Sequence, residues 1–203
     1  MYYSATTIFG AIVCLAGFCG VTLGSSSAQY LRRYDGRADP LVCAVGIFVA
    51  VPFTLFGLVL ARSITWLSWI FLFLSVTALS TNWAVVSDML LSVVLPTKRA
   101  FATAIQILVS HLFGDATSPF ITGFIRDELR ISMGLEVDKD FQPFLYSLLS
   151  TLIILALGGV AFLHSARFFV DDVERCKKAL RKGSSDEDIN PTISNLTNFA
   201  ELN

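Results

Sequence analysis

Charge is what this sequence lacks most. No lysine, arginine, aspartate or glutamate occurs in residues 1–31, 40–61, 63–87 or 141–166, and only 15% of the 203 residues are charged. A soluble domain carries about a quarter. Cysteine is scarce and scattered: Cys14, Cys19, Cys43 and Cys176 have neither metal-ligand spacing nor a disulfide pattern. Cys176 beside Lys177 and Lys178 is a weak palmitoylation candidate and reads better as a free juxtamembrane thiol. No basic run is interleaved with aromatics, which argues against nucleic acid as a partner. No Ser-His-Asp, Walker or zinc pattern occurs, so neither an enzyme nor a metal or other cofactor is implied. The first apolar run has no basic lead and no cleavage site of a signal peptide.

What is present is apolar sequence in long runs, with hydrophobic residues making up 54% of the chain. A helix needs about 20 apolar residues to cross a bilayer, and in lipid it must satisfy its own backbone groups. The runs predict an all-α integral membrane protein with five transmembrane helices, at 5–28, 41–61, 66–95, 101–125 and 144–165. Residues 1–167 form the membrane domain, and 168–203 form a cytosolic tail.

The remaining basic residues set the orientation. Eleven of the 15 lysines and arginines fall on one side: Arg32, Arg33, Arg37, Lys98, Arg99, Arg167, Arg175, Lys177, Lys178, Arg181 and Lys182. Arg62, Arg126, Arg130 and Lys139 fall on the other. The positive-inside rule places the larger group, and with it the C-terminus, in the cytosol. The acidic segment "RDELRISMGLEVDKD" is expected to be a non-cytosolic loop. From Phe168 to Lys182 an amphipathic helix is expected on the membrane face. The remainder, "GSSDEDINPTISNLTNFAELN", is polar and expected to be disordered. Its Asn195 sequon has no meaning on the cytosolic side. Gly17, Gly20 and Gly24 form a small-residue stripe suited to close helix packing. Gly114 and Pro119 are expected at packing positions in the fourth span, Pro52 and Gly158–Gly159 at local bends.

The fourth span carries "SHLFGDATSPF", with His111 and Asp115 four residues apart and so on one helical face. If that helix runs from Arg99 to Arg126, His111 lies about 18 Å from one end and about 22 Å from the other. A charged group at such depth costs about 2.5–3.5 kcal/mol on insertion scales, which implies a partner, a water-filled cavity, or both. Gln106, Ser110 and Ser118 extend the polar face. A histidine changes charge between about pH 5 and 8, and a neighbouring carboxylate favours the charged imidazole. The pair is therefore a candidate for loading and unloading a proton. The plainer alternative is a hydrogen bond that ties two helices together. The third span holds a second polar set, Asn82, Trp83 and Asp88; Asp88 is expected either in the cavity or in a pair near the cytosolic mouth. Two membrane aspartates also suggest intramembrane proteolysis, but Phe113-Gly114-Asp115 lacks the first glycine of G-x-G-D and Ser87, not tyrosine, precedes Asp88.

The segment "TNWAVVSDMLLSVVLPTKRAFATAIQILVSHLFGDATSPFITGFIRD" closely resembles the Spinster family of the major facilitator superfamily, as does "LAGFCGVTLGSSSAQYLRR" upstream. The resemblance covers about residues 5–165. It implies a twelve-helix transporter in which these five spans correspond to the C-terminal part, helices eight to twelve, with the orientation read from charge. It also implies a proton-linked or facilitative carrier of lysophospholipid or sphingoid-type lipids, in late endosomes or lysosomes, with the plasma membrane as the alternative. His111 and Asp115 would couple protons, and Asn82, Asp88, Gln106 and Ser110 would contact the headgroup or gate the path. The loop 32–40 falls where the superfamily places a charge-relay motif. Ala28 and Gln29 replace its aspartate and first arginine, so no complete relay is expected there. Alternating access needs two six-helix halves. The expectation is therefore a truncated gene model or fragment lacking its N-terminal half, next a short form that associates with a full-length relative, and last a self-sufficient five-helix carrier. A non-transporting protein that modulates such a relative is the rival reading.

Overall fold

The computed structural model describes residues 2–61, 63–134 and 141–182, and every regular element among them is helical. The order is α1 (Tyr2–Leu31), α2 (Ala38–Leu60), α3 (Thr65–Val93), a 3-10 turn (Pro96–Lys98), α4 (Arg99–Val109), a π-helical segment (Ser110–Ala116), α5 (Thr117–Ser132) and α6 (Phe141–Ser165). A final helix, α7, covers 169–182. Four helical stretches are long and apolar enough to cross a membrane: Thr7–Leu31, Ala38–Leu60, Thr65–Val93 and Gln142–Ser165.

The expected fourth span differs. Residues 99–132 follow one helical path, but it is divided into 11 α-helical, 7 π-helical and 16 α-helical residues. It also continues past the expected end at 125, so Arg126, Asp127, Glu128 and Arg130 lie on helix rather than in a loop.

α3 is the centre of the bundle. α1 and α2 both pack along it, α6 packs on α2, and α5 packs on α6. The contacts follow membrane rules. Buried positions are small, as at Ala16, Ala28, Cys43, Ala44 and Ala50, whereas Phe18, Phe101, Phe113 and Phe120 are exposed. Lipid is as apolar as leucine, so helices associate through close approach and interhelical hydrogen bonds rather than through burying bulk. Gly20 of α1 lies against Thr77 and Ser80 of α3, and Gly24 lies against the backbone of Thr81. Gly46 of α2 approaches α3 from the other side, with the Thr81 hydroxyl 2.5 Å from where a methyl group would sit. A methyl group added at Gly17 or Gly114 meets no described atom within 4 Å. Hydroxyls join α2 to α3: Ser68 donates to the Gly57 carbonyl at 2.6 Å, and the Thr54 and Ser75 hydroxyls lie 2.5 Å apart.

α7 packs part of its apolar side on protein, while Phe168 and Leu180 stay exposed. Phe169 and Cys176 are buried, and a Val170 methyl lies 3.5 Å from where a side chain on Gly36 would begin. The Cys176 thiol is therefore shielded, which counts against its modification by an acyl chain. The expected disordered tail at 183–203 lies outside the described residues.

Candidate functional site

The π-helical segment has a local cause. Pro119, in the first turn of α5, has no N–H to give to the Asp115 carbonyl, and its ring crowds that carbonyl. The ladder upstream must adjust, and a π-bulge is one of the few ways to do so within a helix. Thr117 supplies part of the missing bonding by donating its hydroxyl to the Leu112 carbonyl at 2.6 Å.

The segment presents His111 and Asp115 to each other, with His111 Nδ1 and Asp115 Oδ2 2.5 Å apart. Both side chains remain open, at 60% and 73% of full exposure. They look into a groove of about 470 Å³ between α3 and the α4–π path. Asn82, Trp83 and Ser87 of α3 line one wall, and Gln106, Ser110, His111 and Asp115 line the other. Five of the six polar residues singled out from the sequence thus share one groove. Trp83 is 68% exposed, so its indole forms an open wall rather than filling a core. A smaller pocket of about 320 Å³ continues along α5 at Ser118, Pro119, Thr122, Gly123 and Arg126, against Phe144 of α6. Among the described residues no cluster of histidine, cysteine or carboxylate side chains has the makings of a metal site.

Asp88 is the sixth residue, and it lies elsewhere. Its Oδ2 accepts from Arg32 Nη2 at 3.0 Å, while Arg32 Nε donates to Asp39 Oδ1 at 2.6 Å. Asp39 is nearly fully buried in the first turn of α2. The hydrogen bond to Asp39, with a further one to Asp88, raises the affinity of the Arg32 guanidinium for its proton. A charge cluster therefore exists at the mouth of α1, α2 and α3 even though the expected relay motif is incomplete. Asp39 was missed in the sequence. The signal available was an acidic residue at a helix start, directly after a loop with three arginines.

An all-helical bundle with membrane-length helices, a central helix gripped through glycines and a polar groove on one flank is the build of a multi-pass integral membrane protein. The chain is 46% identical over 174 residues to Protein spinster homolog 1 of Mus musculus, and 44% identical over 174 residues to its Homo sapiens counterpart; both matches cover 86% of this chain. It is 43% identical over 171 residues, 84% of its length, to the sphingosine-1-phosphate transporter SPNS2 of Xenopus tropicalis. No family model matches the chain. The chain belongs to the Spinster family, and it spans about a third (33%) of the length of these curated relatives.

Proposed function

We propose that this chain is the C-terminal part of a lipid transporter, and that the α3/α4 groove is one wall of its translocation path. The substrate class is a one-tailed lipid, a lysophospholipid or sphingoid-type molecule, and the driving force is a proton gradient. The observation that carries the reading is the groove itself. Its polar side chains lie mid-chain in helices that otherwise expose phenylalanine and leucine. A polar stripe with an apolar, tryptophan-bearing wall matches a lipid with one polar and one apolar end. The relative named as a sphingosine-1-phosphate transporter supports the substrate class.

In the proposed cycle His111 takes a proton from the acidic side and holds it against Asp115 while lipid occupies the groove. Release on the neutral side resets the pair. Asn82, Gln106 and Ser110 offer amide and hydroxyl groups to the headgroup. The Arg32–Asp39–Asp88 cluster holds the cytosolic ends of α1, α2 and α3 together, so Asp88 serves gating rather than substrate contact. The compartment proposed is the late endosome or lysosome, with the C-terminus cytosolic. The second face of the path would come from further helices, of a longer form of this chain or of a full-length relative.

The test is uptake of a fluorescent lysolipid by vesicles that carry this chain, with and without an acid-inside gradient, alone and beside a full-length relative. Gradient-dependent uptake that His111→Ala reduces at least tenfold supports the carrier. Correct insertion without uptake in either setting, but with altered uptake by the relative, would favour the modulator reading instead.

A further inference from the structure

We infer that the groove between α1 and α2 holds one acyl tail of an anionic phospholipid, whose headgroup is met by Arg33 and Arg37. α1 and α2 each pack along α3 and touch one another over a much shorter length. The gap between them is a furrow of about 320 Å³ walled by residues including Ser27, Leu31, Val42, Val45 and Val49. Its floor is deep because Gly24 and Gly46 let both helices press onto α3 at Thr81.

Two measures identify the occupant. The first is length. From Leu41 to Val49 the furrow runs about 12 Å along α2, within the roughly 15 Å depth of a single leaflet. The second is charge. The furrow ends at the α1–α2 connection, where Arg33 and Arg37 are exposed. Among the described residues neither side chain has an ion-pair partner, whereas Arg32 in the same connection is held by Asp39 and Asp88. Two unpartnered guanidinium groups at the headgroup level, above an apolar furrow one leaflet deep, suit a phosphatidylserine-like lipid.

The experiment is native mass spectrometry of the purified chain, equilibrated with equimolar phosphatidylserine and phosphatidylcholine in detergent. Phosphatidylserine should be retained roughly thirty-fold over phosphatidylcholine. R33Q/R37Q should bring the two lipids to parity, and V45W, which fills the furrow, should lower retention of both. R175Q/K178Q on α7 should leave the preference intact. Circular dichroism checks that each variant keeps its helices. Equal retention of the two lipids by the unaltered chain would overturn the assignment. So would a preference that survives R33Q/R37Q, or one that R175Q/K178Q removes.

Discussion

Asp39 and Asp88 hold the same arginine, yet burial separates their energetic weight. The Asp39 side chain is 6% exposed and the Asp88 side chain 47%. Removing the partner of a buried carboxylate leaves a charge without compensation, so Arg32→Ala should cost about 3 kcal/mol of stability. Asp88→Asn removes only an exposed bond and should cost no more than about 1 kcal/mol. Thermal melts of the purified variants in one detergent check the order, and equal losses would contradict it. The His111–Asp115 pair was legible in the sequence because its geometry is local: four residues on one helix fix who meets whom. The Arg32–Asp88 bond was not legible, because it joins residues 56 apart and depends on how α1 lies against α3. For the same reason Asp88 could be placed either in the groove or at its mouth until α1 and α3 were seen together.

Helix existence followed from hydropathy alone, since runs without charge have few other solutions in lipid. Helix contacts were less accessible. The glycine stripe on α1 was readable from its spacing, but which of its members touch α3 depends on rotation about the helix axis. Gly24→Leu should cost about 1–3 kcal/mol, because its side chain would strike the Thr81 backbone. Gly17→Leu should fall within about 0.5 kcal/mol of the unaltered chain, because nothing described lies near it. Comparing the two melts tests the packing directly. The π-helical segment was hidden for another reason: an interrupted helix and a continuous one share the same apolar periodicity, and Pro119 was the single hint. Pro119→Ala restores an N–H for the Asp115 carbonyl and should relax the segment to α-helix. The expected outcome is equal or greater thermal stability with at least fivefold slower proton-driven uptake. Unchanged uptake would show that the bulge does not set the His111–Asp115 geometry.

At the scale of the molecule, five helical passages read from hydropathy correspond to four uninterrupted membrane-length helices and one divided path, and the divided path carries the polar pair. Regularity was given up where the polar side chains are concentrated. The flank bearing His111 and Asp115 is also the least covered by the other helices, consistent with a chain one third as long as its relatives. The account depends on that flank facing water rather than hydrocarbon. The direct measurement is thiol accessibility in membranes. Cysteine is placed at Ser110, within the groove, and separately at Phe113, outside the groove lining, in a background lacking Cys14, Cys19, Cys43 and Cys176. A charged, membrane-impermeant thiol reagent should label S110C at least tenfold faster than F113C. Labelling of S110C only by a membrane-soluble reagent, at the rate of F113C, would mean that the imidazole and carboxylate meet acyl chains, and the transport reading would be wrong.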